Sequence, residues 1–292
     1  MRYLVLAGTL VLAAFLGCSE TPQLDDEDYI SLLLAESDLV EMSPLTSRGE
    51  QSGKDVEAPE IWWREVTSTG EFTVLLENDP SMGVCTVAVT HPLQGHLNID
   101  VVHDGQIDPS QKPMSELRSR RVIVQKTGDT SNRYGGWELT HITPAEYALD
   151  SGDVQEVFVK SFTVYREGEQ IWQTTSSEEF FSVGDGLPDV DESDLVRVEV
   201  EVTHTNPVYE PAQFVFVHGP CPVWQRHPLN DDGLYGDVTP GDGVYSYEWY
   251  AENTEDLPFV AADVIDTETM NDEEQDDYDA GAWAMPIQPD SQ

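Results

Sequence analysis

The stretch "VRVEVEVTH", Val196–His204, alternates without a break: Val196, Val198, Val200 and Val202 fall on one side of an extended chain, and Arg197, Glu199 and Glu201 on the other. Successive side chains of a strand point to opposite faces. A period of two with a β-branched residue at every second place therefore describes an antiparallel strand with one buried and one solvated face. Upstream, the same character recurs in "EFTVLLE", "VCTVAVTH", "LNIDVV", "RRVIVQK", "WELTHI" and "EVFVKSFTVY", all between residues 71 and 165. Downstream it continues in "AQFVFVHG", "GVYSYEWYA" and "LPFVAADVID", with "AWAMPIQ" (282–288) as a returning edge strand. The runs are short, β-branched and bounded by turn residues, with no 3.6-residue period, so the fold class is all-β. The acid-rich "TETMNDEEQDDYD" (267–279) reads as a solvated loop.

Just before the alternating valines lies "GDGLPDVDESD" (184–194), rich in Gly, Asp and Pro. Its composition is that of a linker. The expected architecture is two antiparallel β-sandwich domains in tandem, 60–184 and 195–290, joined by 185–194. On this reading residues 187–290 fold on their own. Residues 18–59 form an acidic tether containing one short helix in "DDEDYISLLLAESDLVEM" (25–42), where Asp25–Asp28 cap the N-terminus and Ile30, Leu33 and Leu34 make a narrow apolar stripe.

The chain carries 56 acidic and 14 basic residues, a formal net charge of −42. Such a polyanion repels nucleic acid and anionic headgroups. Two readings of the acidity remain, hydration of the surface and binding of divalent cations. The basic cluster "RSRRVIVQK" (118–126) reads as a paired strand face rather than a phosphate site.

At the N-terminus, Arg2 precedes the apolar run Tyr3–Leu16, which is too short to span a bilayer as a mature helix. The run ends in "FLGC". This resembles the lipobox of bacterial lipoproteins, with Phe15 where an aliphatic residue is usual. The resemblance implies that residues 1–17 are a signal peptide, that Cys18 becomes the acylated first residue, and that its acyl chains hold the protein on a membrane. Ser19 stands where an inner-membrane retention signal would place Asp, which favours the outer membrane. Of the other cysteines, Cys85 shares one strand face with Val87 and Val89 and is expected in a core, whereas Cys221 lies between prolines in a loop.

"LNDDGLYGDVTPGDGVYS" (229–246) contains the turn pairs Asp232-Gly233 and Asp242-Gly243. Its pattern D-D-G-x-x-G-D-x-x-x-G-D-G-x-Y resembles a hairpin of immunoglobulin-like or fibronectin-like modules in bacterial surface proteins. The likeness covers roughly residues 190–290 and implies a fold but no activity. An EF-hand register would put Pro228 or Val238 at the first ligand position, so it fails. What remains is either a set of Asx turns, or a weak calcium site made by Asp231, Asp232, Asp237 and Asp242.

His91, His96 and His103 lie near one another without the spacing or cysteine partner of a zinc site, and read as ordinary strand and turn residues. The pair Trp62-Trp63 must face opposite sides of its strand, so one indole is expected outside, where it could stack on a sugar or fill a partner's pocket. No nucleophile-elbow, zincin, dithiol or P-loop motif occurs. The expected function is a non-enzymatic, lipid-anchored envelope protein with a scaffold, adhesion or binding role and a protein or glycan partner. The alternative is a carbohydrate-binding or carbohydrate-degrading accessory protein, which an exposed aromatic row or a carboxylate-lined cleft would favour. A periplasmic assembly factor would show an apolar groove instead.

Overall fold

The computed structural model describes residues 24–42, 45, 49–50, 61–100, 108–128, 132–150, 154–220, 226–252, 254, 258–271 and 278–288. Cys18, His103 and Cys221 lie outside them. Helix α1 (Asp26–Ala35) opens the described chain, followed by β1 (Gly49–Glu50), β2 (Ile61–Thr69), β3 (Thr73–Leu76), β4 (Val84–Asp100) and β5 (Ser110–Lys126). Next come β6 (Trp137–Ile142), β7 (Ala145–Leu149), β8 (Val157–Arg166), β9 (Glu169–Thr174) and β10 (Phe181–Ser182). The remainder is β11 (Leu195–His204), β12 (Gln213–His218), β13 (Arg226–Leu229), β14 (Val244–Tyr250), β15 (Phe259–Asp266), α2 (Thr267–Asn271) and β16 (Ala280–Pro286).

The all-β class holds, but the tandem of separate sandwiches does not. The larger sheet runs β1-β2-β4-β5-β7-β16-β15-β12-β13, with β3 on β4, β6 on β5 and β10 on β6; the smaller runs β14-β11-β8-β9. Both sheets draw strands from both sides of residues 185–194. β11 pairs along one edge with β14 and along the other with β8, and β16 pairs with β7. The presumed linker is a connection within one body, and its Leu187 and Val190 are buried. Turn composition marks where a chain changes direction, and that happens within domains as readily as between them.

The larger sheet curls. β4 and β5 are both 17 residues long and pair along their length, and twist accumulates over such strands. As a result Trp62 on β2 touches Phe216 on β12, ring centroids 4.9 Å apart, although five strands separate β2 from β12 in the sheet order. Trp62, Leu97, Ile99, Met114, Phe216, Ile265 and Met270 form an apolar cluster inside this curl. A second, larger cluster joins Val196, Val198 and Val200 of β11 to Val217, Val260 and Val264 of the curled sheet, so β12 and β15 are buried on both faces.

Helix α1 forms as its sequence dictates. Asp25 and Asp28 make a reciprocal capping box, and Ile30, Leu33 and Leu34 are buried. The helix belongs to the larger cluster with Val87, Val122 and Trp137, held by Asp26 to Lys126 at 2.6 Å and to the Trp137 indole N–H at 3.1 Å. Cys85 is a buried free thiol in the same cluster, as its alternation predicts. The run 267–279 departs from expectation. Thr267–Asn271 is a helix with Met270 buried, and Tyr278 and Asp279 are buried too. No helix among the described residues is long and apolar enough to cross a membrane.

Candidate functional site

Strand β5 buries one face made of Lys112, Met114, Glu116, Arg118, Arg120, Val122 and Val124. The middle of that face is charged, and partners from across the curl meet it. Arg64 on β2 forms a forked pair with Asp263 on β15, at 2.6 and 2.8 Å, and its Nε donates to the Tyr278 hydroxyl at 2.9 Å. Tyr278 in turn donates to Glu116, and His218 Nε2 lies 2.9 Å from Asp263. Arg226 on β13 donates to the Trp62 carbonyl at 2.7 Å, with its guanidinium 3.3 Å from the Trp62 ring centre. Arg118 and Arg120 donate to the carbonyls of Met42 and Leu39, fastening the segment after α1.

The electrostatics follow from this burial. Burial raises Asp263, but the Arg64 charge and hydrogen bonds outweigh it and hold the carboxyl well below the usual range. Burial pulls Arg120 down to about 10 and Arg226 down to about 9, and pushes Tyr147 up to about 12. Paired guanidinium and carboxylate groups in a dry interior lock geometry rather than poise a proton donor near neutrality. This layer is a structural clamp joining strands from opposite ends of the sheet.

Trp62 is fully buried in that clamp, so the expectation that it offers a binding face is corrected: its ring packs edge-to-face with Phe216 and carries the Arg226 guanidinium over its own face. Trp63, on the opposite strand face, is half-buried. His91 and His96 lie on β4 opposite Arg118 and Pro113, and His91 is lowered by burial and by the Arg118 charge. His96 is half-buried, paired opposite Glu65 on β2.

The aspartates of 231–242 build turns. Asp231 accepts from the backbone N–H groups of Gly241, Asp242 and Gly243 at 2.6, 3.1 and 2.8 Å. Asp232 accepts from Leu234 at 2.9 Å, Asp237 from Gly233 and Thr239, and Asp242 from Val244 at 3.0 Å. Gly233 and Gly243 take φ of 79° and 83°, as the Asp-Gly pairs predict. Ligand oxygens of Asp231, Asp237 and Asp242 fall within 4.8 Å of one another, and Asp232 is not in that group. The loop also carries Tyr235, 63% exposed and stacked on Tyr247 at 5.9 Å, which stacks on His227 at 4.5 Å.

A cleft of about 190 Å³ lies between the 38–42 segment and the end of β16, lined by Asp38, Glu41, Arg120, Tyr147 and Phe259 among others. The buried clamp and this cleft escaped sequence reasoning because their residues are scattered along the chain. The one local signal was the even-numbered parity of Glu116, Arg118, Arg120, Val122 and Val124, which places charges and valines on one face. Compared with known proteins, the chain matches no family model, no curated protein and no solved structure.

Proposed function

We propose that this protein is a lipid-anchored cell-envelope binding or scaffold module, a rigid β framework presenting an acidic, hydrated exterior. The observation that carries the reading is the segregation of charge. Arg64, Lys112, Arg118, Arg120 and Arg226 are buried. On the outside, Arg121 pairs with Glu77, Lys126 with Asp26, Arg133 with Glu36, Lys160 with Glu201 and Arg166 with Asp189. These ten cations of the described residues are thereby absorbed, and the surplus carboxylates face water. Such a surface keeps a tethered protein soluble and away from anionic headgroups and nucleic acid. Partners of this surface are basic protein segments, with weak calcium at Asp231, Asp237 and Asp242 as an accessory.

The anchor is tested by Cys18→Ser in cell fractionation. The variant should move from the membrane to the soluble fraction, and retention on the membrane in high salt would sink the lipid-anchor reading. A second reading, glycan binding, is favoured by the Tyr235–Tyr247–His227 stack, whose exposed end offers a ring face to a sugar. A glycan panel on the parent and on Tyr235→Ala decides it: binding lost in the variant supports the sugar reading.

A further inference from the structure

At one end of the molecule β8 begins, β11 and β15 end, and β16 begins. Strand register brings four ligand-type side chains together there. His204 pairs opposite Val157, which places it beside Glu156, and Ile265 pairs opposite Ala280, which places Asp266 beside Asp279. One ligand atom from each of Glu156, His204 and Asp266 lies within 4.8 Å of the others; Asp279 is outside that group and adjoins it, its carboxylate accepting from the Glu156 N–H and its carbonyl from the Asp266 N–H.

Two atoms of this group are buried without a hydrogen-bond partner. His204, its side chain 5% exposed, has Nε2 unsatisfied, with Asp266 Oδ1 3.4 Å away. Asp279, 5% exposed, accepts from the Glu156 N–H through Oδ2 at 2.7 Å and leaves Oδ1 unsatisfied. Among the described residues no lysine or arginine forms an ion pair with Glu156, Asp266 or Asp279. Carboxylates gathered out of water need either hydrogen bonds or a cation. Here the available donors are the Glu268 N–H on Asp266 at 2.9 Å, the Glu156 N–H on Asp279, and the Asn206 amide on Glu156 at 3.3 Å. They leave the two orphan atoms unanswered.

We propose that Glu156, His204 and Asp266, with the adjoining Asp279 turning its unsatisfied Oδ1 in as a fourth ligand, bind a divalent transition-metal ion, Zn²⁺ or Mn²⁺, which ties the smaller sheet to the end of the larger one. One imidazole nitrogen with carboxylate oxygens is a donor set suited to these ions, whereas calcium takes oxygen ligands alone. Loading has a local cost. His204 Nδ1 takes the Asn206 N–H at 3.2 Å, so coordination through Nε2 moves the ring proton to Nδ1 and turns the Asn206 amide away. That rearrangement is confined to the turn after β11.

The test is thermal unfolding of the chelator-stripped full chain with Zn²⁺, Mn²⁺, Ca²⁺ or Mg²⁺, in the parent and in His204→Gln, Asp279→Asn and Asp242→Asn. Zn²⁺ or Mn²⁺ should raise the parent Tm by roughly 5 °C or more at saturation, because a ligand held only by the native state stabilises it. His204→Gln and Asp279→Asn should abolish the rise, and Asp242→Asn should leave it intact. No rise in the parent, a rise that survives both site substitutions, or one that Asp242→Asn removes instead would overturn the proposal. Should a site variant fail to fold, pulsed electron paramagnetic resonance of the Mn²⁺-loaded parent decides: coupling to one imidazole nitrogen supports the site, and its absence refutes it.

Discussion

Arg64 and Asp263 show what a single pair contributes when its surroundings are dry. Both side chains are almost inaccessible, and their forked contact lets two strands from opposite ends of the sheet share one interior. Removing Asp263 breaks the forked contact and leaves the buried Arg64 with only Glu116, 3.3 Å from its Nε, and the Tyr278 hydroxyl, so Asp263→Asn should cost about 3 kcal/mol in urea unfolding. The double variant Arg64→Met/Asp263→Leu should cost much less than the sum of the singles, since the desolvation of both charges disappears together. Additive losses would mean that the pair is not coupled. Two glycines make a sharper contrast. A Cβ on Gly95 would sit 2.0 Å from the Glu65 carbonyl oxygen, where β2 bulges against β4, whereas a Cβ on Gly83 meets open space and only its φ of 76° resists substitution. Gly95→Ala should therefore destabilise by about 3 kcal/mol or more through backbone displacement, and Gly83→Ala by about 1 kcal/mol through left-handed strain alone. Equal losses would contradict the close approach.

Elements differ in how much of their fate the sequence discloses. β11 and α1 were legible because each obeys a local rule, alternation in one and capping plus a narrow stripe in the other. The Asp-Gly turns were legible for the same reason. β5 was legible in parity but not in meaning: Glu116, Arg118 and Arg120 continue the face of Val122 and Val124, and charges on a buried face are recognised only once their partners on β2, β12 and β15 are known. The acid-rich run 267–279 misled for the converse reason, since net polarity hides the few residues, Met270 and Tyr278, that enter the interior. The metal-type cluster left no local trace, because Glu156, His204 and Asp266 are each dozens of residues apart and meet only through strand register. For α1 the consequence is measurable. Leu34 is buried against the cluster that contains Trp137. Leu34→Ala should cost about 3 kcal/mol of global stability if the helix is part of the fold. A loss confined to early amide exchange in α1, with the main unfolding midpoint unchanged, would make it an independent appendage instead.

At the scale of the whole molecule, strand order decides whether the second half can exist alone. Within 187–290, β11 keeps β14, and β16, β15, β12 and β13 keep one another. What that segment lacks is β8 along the other edge of β11, β7 along β16, and the Trp62 and Arg64 side chains that fill and neutralise the far side of β12 and β15. Two long sheet edges would be exposed, together with an Asp263 stripped of its forked Arg64 contact and the apolar faces of Phe216 and Ile265. The isolated 187–290 fragment should therefore show collapsed amide dispersion and no cooperative melt. Co-expression with residues 18–186 should restore both, because the missing strands dock in register on β11 and β16. A dispersed spectrum and a sharp transition from 187–290 alone would show that it carries a self-sufficient core despite the shared sheets, and the linker-like composition of 184–194 would then mark a true boundary.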